Sequence, residues 1–139
     1  MSSFRIVEHT ADVGLEAEAD TLEGAVVALV EGFGELVCPE GEVQAREERT
    51  VSVEAPDLDD LVVDLLDELN YVHQVDRFVP AGGTARIEKT AEGYRVRLQA
   101  TGEGYDREAH GHLMEIKATT YHGLEVEDEP GRIAVLFDV

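Results

Sequence analysis

The chain contains a single cysteine, Cys38, among its 139 residues. One cysteine excludes an intrachain disulfide and is typical of proteins that work in a reducing compartment. We therefore expect a cytoplasmic protein in which Cys38 is a packing residue after a helix rather than a reactive thiol.

Long apolar runs are also absent. The longest, GAVVALV at residues 24–30, is far shorter than the roughly 20 residues that a helix needs to cross a bilayer. The opening MSSFRIVEH has no apolar centre of the kind found in secretory signals, so we expect neither a membrane span nor a leader. The length predicts one domain, residues 1–139, with its own hydrophobic core.

Basic residues are scarce. The chain has 31 Asp and Glu against 11 Lys and Arg, which gives a formal net charge of −20, and its two lysines are Lys89 and Lys117. This excess argues against direct binding of nucleic acid phosphates or anionic membranes. We favour adaptation to a salty cytoplasm, where dissolved ions screen the self-repulsion. The alternative is an acidic face that steers the protein to a basic partner.

The common catalytic and nucleotide-binding motifs are missing. The sequence lacks the GxxxxGK phosphate loop, the dinucleotide-binding GxGxxG, the HExxH zinc motif and a Ser or Cys nucleophile signature. His110 and His112 would share a face if extended, and His122 lies downstream, so a zinc site is conceivable. No cysteine lies nearby, and we expect ordinary satisfied or solvated histidines.

What the chain does contain is a mixture of helical and strand patterns. Asp20 with Glu23 predicts the start of one helix, and Asp57 the start of a second, whose acidic residues form a solvated face. Alternating patterns predict strands at residues 4–9, 14–19, 50–55, 85–90, 94–100, 115–126 and 132–139. In the last of these both faces are apolar, which predicts an interior strand covered on both sides. The result is an α+β fold of mostly antiparallel sheet packed with two main helices.

Candidate ligands stand near both ends of the sequence. Residues 8–14 read EHTADVG, and the sequence ends Phe137-Asp138-Val139. If the last strand lies beside the first, Asp12 would face Asp138 and the carboxylate of Val139, which together suit Ca²⁺, Mg²⁺ or Mn²⁺. The pattern alone does not show that the strands are neighbours, so a plain surface aspartate is the alternative. His9 and Glu8 would support the turn.

Taken together, these segments resemble the archease family. The likeness rests on EHTADVG, VVDLLDELNYVHQ, GEGYDREAH, EIKATTYHGLEV and the ending LFDV, which follow one another across the whole chain. KATT at residues 117–120 departs from the more usual KAVT and leaves Lys117 in place.

The resemblance implies an archease-like fold and a protein cofactor rather than an enzyme. Archeases activate the GTP-dependent RNA ligase of the RtcB type, which joins 3′-phosphate or 2′,3′-cyclic-phosphate ends to 5′-hydroxyl ends in tRNA splicing and RNA repair. They promote guanylylation of the ligase, support its turnover and broaden its nucleotide use. Their divalent metal ligands correspond here to Asp12, Asp138 and Val139, and Lys117 and His9 could contact the ligase or a phosphate.

Two other functions stay open. One is a chaperone or specificity factor for another RNA-processing enzyme, such as a tRNA methyltransferase, which the acidic surface favours. The other is a small metal-dependent hydrolase that uses Asp12 and Asp138, although the sequence supplies neither a nucleophile nor a substrate pocket.

Overall fold

The computed structural model of the protein describes residues 2–8 and 12–139. Within these ranges the chain forms seven strands and three helices, and the strands make up two antiparallel sheets. The predicted α+β class is therefore confirmed. The elements are β1 Ser3–Glu8, β2 Asp12–Ala19, α1 Leu22–Val37, β3 Glu47–Ala55, α2 Leu58–Val75, β4 Phe78–Thr90, β5 Gly93–Gly104, α3 Arg107–His110, β6 Ala118–Glu127 and β7 Gly131–Asp138.

The two sheets enclose the two long helices. The first sheet has the strand order β1-β2-β7-β6, and the second has the order β3-β5-β4. Helix α1 packs on β1, β2 and β7 of the first sheet and on β4 of the second, while α2 packs on β6 and on β3, β4 and β5. The core lies between the sheets and includes Leu15, Phe33, Leu66, Leu98 and Phe137.

This position explains why the two helices differ in sequence. Helix α1 is buried on almost every side, as expected of a helix between two sheets, and α2 buries one stripe. A side chain at Gly34 of α1 would overlap the carbonyl oxygen of Pro80 in β4. The glycine thus permits the close approach of helix and strand.

The helix starts test the predicted caps. Asp57 caps α2 as predicted, because its Oδ1 accepts a hydrogen bond from the Asp60 N–H at 2.8 Å. The prediction for α1 was wrong: its cap is Thr21, whose Oγ1 accepts from the Gly24 N–H at 3.0 Å. Glu23 instead accepts a hydrogen bond from the Ile87 N–H of β4 at 2.7 Å. The Glu23 carboxylate therefore bonds to the edge strand β4 and not to the start of α1.

Several strand predictions also need correction. Strand β4 begins at Phe78 rather than at residue 85, and its register shifts between Pro80 and Gly82, where the alternating pattern is interrupted. The strand predicted from residue 115 begins at Ala118, and the short helix α3 precedes it.

Strand β7 is an interior strand as predicted, since it pairs with β2 on one side and β6 on the other. Its second face is not covered, however. Ala134 and Leu136 are only half-buried, because they lie on the outer face of the first sheet, where no helix packs. On that face Arg132 forms ion pairs with Glu16, Glu18, Glu125 and Glu127.

Cys38 caps the C-terminal end of α1 and is buried in the core, which confirms the predicted packing role. Its Sγ lies 3.5 Å from the carbonyl oxygen of His110, and burial raises the pKa of the thiol. In the part of the chain that the structure describes, no helix has the length and apolar character needed to cross a membrane.

Candidate functional site

The pairing of β2 with β7 brings Asp12 and Asp138 together. Asp12 is the first residue of β2, Asp138 is the last residue of β7, and the antiparallel register places them directly opposite each other. Residues opposed in this way project from the same face, with Cβ atoms about 5 Å apart. The predicted proximity is confirmed for this pair. The predicted neighbour was wrong, because β7 lies beside β2 and not beside β1.

The surroundings of the two carboxylates are unlike each other. Asp12 is half-buried, and its Oδ1 is inaccessible to solvent and has no hydrogen-bond partner among the residues that the structure describes, whereas Asp138 is exposed. A buried acceptor without a donor costs about 1–3 kcal/mol, and like charges directly opposite each other on a sheet add a further cost. A bound cation would remove both penalties. Carboxylate oxygens are the ligands that hard divalent cations prefer, so the pair fits such an ion.

Strand β6 of the first sheet also reaches the aspartate pair. Ala118 of β6 is the register partner of Asp138, and the Lys117 N–H donates to the Asp138 carbonyl oxygen at 2.9 Å. The side chain of Lys117 is exposed, and Val139 follows Asp138 directly. His9 lies outside the described residues, so its supporting role stays a prediction.

Two aspartates do not complete a coordination sphere. Among the residues whose positions the structure describes, no three His, Cys, Asp or Glu side chains group closely enough to hold a metal ion. Main-chain oxygens, such as those of Val139, and water molecules are further ligands that such ions accept. Asp12 and Asp138 can thus supply two carboxylate ligands of a metal site, and other groups would fill the remaining coordination positions.

His110 belongs to a separate, satisfied network. It is buried, its Nδ1 accepts from the Asp106 N–H at 2.9 Å, and its Nε2 lies 3.0 Å from Oε2 of Glu103. The backbone N–H of Gln44, together with His110, lowers the pKa of Glu103. His112 and His122 are exposed. The expectation of ordinary satisfied or solvated histidines agrees with this arrangement.

One polar group near the aspartate pair was not anticipated. Thr119 follows Ala118 in β6, and its buried Oγ1 has no hydrogen-bond partner among the described residues. Its register partner is Phe137, so strand alternation places it on the face opposite to Asp138. It therefore does not belong to the same donor set. The sequence does mark this position, because KATT differs from the more usual KAVT at residue 119, where threonine stands in place of valine.

The comparisons with known proteins agree with the motif reading. The model of the archease protein family matches residues 4–139. The chain is 35% identical over 130 residues to protein archease of Pyrococcus abyssi and 40% identical over 130 residues to that of Thermococcus gammatolerans, in each case across 94% of this chain and 92% of the relative. The solution structure of protein 1598 of Methanobacterium thermoautotrophicum superposes with a TM-score of 0.82 at 28% identity and covers 99% of both chains. On this evidence the chain belongs to the archease family.

Proposed function

We propose that this archease activates a GTP-dependent RNA ligase of the RtcB type in tRNA splicing and RNA repair. It would promote guanylylation and turnover of the ligase and broaden its nucleotide use, without catalysing a reaction itself. Family membership supports the proposal, and the observation that carries it is the opposed pair Asp12 and Asp138 at the end of the first sheet.

The pair is well suited to present a divalent cation, Ca²⁺, Mg²⁺ or Mn²⁺, to a partner protein. Asp12, Asp138 and the main-chain oxygens of Val139 would hold the ion. When bound, such an ion neutralises negative charge on a phosphoryl group. The backbone of Lys117 adjoins Asp138, and its exposed side chain would contact a phosphate of the nucleotide.

The position of the pair favours a helper role over an independent enzyme. Both aspartates sit on paired strands, which hold the carboxylates more rigidly than a loop would. Neither aspartate lines any of five cavities that lie among the described residues. An open, rigid tip of this kind can enter a site on another molecule.

Guanylylation of the purified cognate ligase, with and without this protein, tests the proposal. Asp12→Asn and Asp138→Asn should each reduce the stimulation by about tenfold or more, since even groups that only support a metal ligand contribute that much. Glu48→Gln, an exposed acid on the second sheet, should stimulate like the wild type. Undiminished stimulation by both aspartate variants would refute the role of the pair, and no stimulation by the wild type would refute the function.

Thermal unfolding gives a second readout that does not involve the ligase. Added divalent cation should stabilise the wild type, because the ion binds the folded state, and should leave Asp138→Asn unaffected. Without cation the same variant should be more stable than the wild type by about 0.2–1 kcal/mol, since it loses a like-charge contact.

A further inference from the structure

A small cavity lies between the end of α2 and the segment that leads into β6. Its volume is about 280 Å³, close to the lower end of the range of about 300–1,000 Å³ that is usual for ligand pockets. The residues that line it are His73, Gln74, Arg77, Leu113, Met114 and Glu115. Neither aspartate of the candidate metal site is among them, so this cavity is a separate feature of the molecule.

Hydrogen bonds hold both walls of the cavity in place. The side-chain amide of Gln74 on α2 donates to the Ile116 carbonyl oxygen at 3.1 Å. The Met114 N–H donates at 2.9 Å to the carbonyl oxygen of Val37, the last residue of α1. The segment opposite α2 is therefore fixed to both long helices, and the cavity is a built part of the fold.

The wall of the cavity contains a buried histidine. His73 is 6% exposed, and its ring packs edge-on against Phe33 with the two centroids 6.1 Å apart. Its Nδ1 lies 2.8 Å from the Phe78 carbonyl oxygen, and since a carbonyl only accepts, Nδ1 carries the proton. The other nitrogen, Nε2, has no hydrogen-bond partner among the described residues. Because His73 lines the cavity and its Nδ1 is taken, Nε2 is the nitrogen that a ligand there would meet.

The imidazole of His73 is neutral at pH 7. Burial lowers its pKa, and the positive charge of Arg77 lowers it further, against an opposing effect of the bond to Phe78. In neutral imidazole the unprotonated nitrogen accepts a hydrogen bond. The charge of Arg77 also disfavours a metal ion at Nε2, because like charges repel. A ligand at this nitrogen would therefore bring an O–H or N–H donor.

The rim of the cavity carries an arginine without an acidic partner. The side chain of Arg77 is exposed and forms no ion pair within the part of the chain that the structure describes. Its guanidinium lies over the Tyr105 ring, 4.9 Å from the centroid, and its carbonyl oxygen accepts from the Tyr105 N–H at 2.6 Å. A guanidinium stacked on a ring keeps its N–H groups free for a planar anion such as a carboxylate.

Apolar side chains complete the lining. Leu113 and Met114 are half-buried, and the sulfur of methionine makes favourable contacts with aromatic rings. A ligand whose donor reaches the buried His73 while its charge stays at the exposed Arg77 needs an apolar body between these two groups. The exposed Glu115 adds a negative charge at the rim, which favours a ligand with a single anionic group.

We propose that this cavity binds a small aromatic carboxylate that carries an O–H or N–H group at the far end of its ring. The donor bonds to His73 Nε2, the ring packs on Leu113 and Met114, and the carboxylate pairs with Arg77. The inference does not depend on the proposed function, because the cavity and the aspartate pair share no residue.

Titration of the protein with 4-hydroxyphenylacetate, followed by NMR, tests the site. Met114 is one of two methionines in the chain, so its methyl signal is readily assigned and should shift on binding, together with the ring signals of His73. Phenylacetate, which lacks the hydroxyl, should bind about fivefold more weakly, since one hydrogen bond contributes roughly that factor. Tyramine, in which an ammonium group replaces the carboxylate, should bind about tenfold more weakly or less, because it loses a charge-assisted bond.

Three variants assign the roles. His73→Asn removes Nε2 and keeps an amide that can donate to the Phe78 carbonyl oxygen, so it should lose the fivefold preference for 4-hydroxyphenylacetate over phenylacetate. Arg77→Asn should weaken the binding of both carboxylates by about tenfold, and asparagine tolerates the φ of 54° at this position. Arg86→Gln, which removes an exposed arginine of β4 outside the cavity, should bind like the wild type.

The outcomes decide the proposal in each case. Unchanged signals of Met114 and His73, or equal affinities for 4-hydroxyphenylacetate and phenylacetate, would overturn it. If His73→Asn unfolds at a lower temperature than the wild type, the ligand comparison on the wild type and on Arg77→Asn decides the question, since both keep His73. Arg77→Asn should still stimulate the RNA ligase, so failure of the proposed function would leave this site standing.

Discussion

At the scale of single residues, surroundings rather than residue type decide what an acidic side chain can do. Asp12 and Asp138 are register partners, yet Asp12 has a buried oxygen without a donor and Asp138 is open to solvent. Most other acids of the chain are exposed, and several pair with arginine. Among the acids that the structure describes, Asp12 alone has a buried side-chain oxygen without a hydrogen-bond partner, which is why this residue is the strongest candidate ligand.

Tyr121 provides a residue-scale prediction about pH. Its hydroxyl donates to Asp60 at 2.6 Å, and this bond raises the pKa of Tyr121 from 10.0 to about 12. Since the folded-state pKa lies above the unfolded one, the bond stabilises the fold fully below pH 10.0, and the contribution is lost as the pH rises through about 12. Ultraviolet titration of tyrosinate should show one tyrosine ionising near pH 12 in the wild type.

Two variants check this assignment. Tyr121→Phe should remove that phase of the titration, and Asp60→Asn should move it back towards the ordinary pKa of tyrosine. An unchanged titration in Asp60→Asn would contradict the role of the hydrogen bond. Circular dichroism at each pH would verify that the protein is still folded.

The sequence allowed the residues of the aspartate pair to be named but not their geometry. EHTADVG and FDV draw attention to Asp12 and Asp138, and only the register of β2 with β7 shows that they are opposed. A register slip of one residue would turn every side chain of a strand to the other face. The alternating pattern opposes such a slip, but a slip of two residues keeps every side chain on its face, so the pattern alone does not decide which residue lies opposite Asp12.

At the scale of elements, sequence-based prediction fails wherever tertiary contacts override local signals. Asp57 caps α2 as predicted because its bond to Asp60 lies within the helix start. Glu23 looks like part of a capping box, yet β4 takes its carboxylate.

The contact of α1 with β4 leads to an element-scale prediction. Alanine is the better helix former by about 1 kcal/mol, but a Cβ at Gly34 would overlap the backbone carbonyl of Pro80, and overpacking of this kind costs about 1–3 kcal/mol or more. Gly34→Ala should therefore lower the free energy of unfolding. Urea unfolding followed by circular dichroism measures it.

Gly32→Ala is the matched comparison in the same helix. There the new Cβ would meet side-chain atoms of Leu15 and Phe4 at 3.0 Å, and side chains can move where a backbone carbonyl cannot. The loss should be smaller than in Gly34→Ala. Equal or greater stability of Gly34→Ala relative to the wild type would show that helix and strand can separate at little cost.

At the scale of the whole molecule, the acidic composition has two explanations, adaptation to high salt and attraction to a basic partner. The net charge is −20, and on the outer face of the first sheet Arg132 alone is shared by four glutamates. The acid excess is therefore not confined to α2, as it would be if steering were its only purpose. High-salt adaptation explains acids on both the first sheet and α2, and attraction to a basic partner explains acids on one surface, so the two interpretations are compatible.

Unfolding against potassium chloride separates their contributions. Because dissolved ions shorten the range of repulsion, to about 10 Å at 0.1 M salt, we expect the free energy of unfolding to rise steadily with added potassium chloride. Glu48→Gln with Glu92→Gln removes two exposed charges, one on β3 and one in the turn between β4 and β5, and should lower the slope of that dependence. Sucrose, which carries no charge, serves as the control for general solvent effects. Full stability at the lowest salt concentration would reject high-salt adaptation and leave attraction to a basic partner as the reason for the acidic surface.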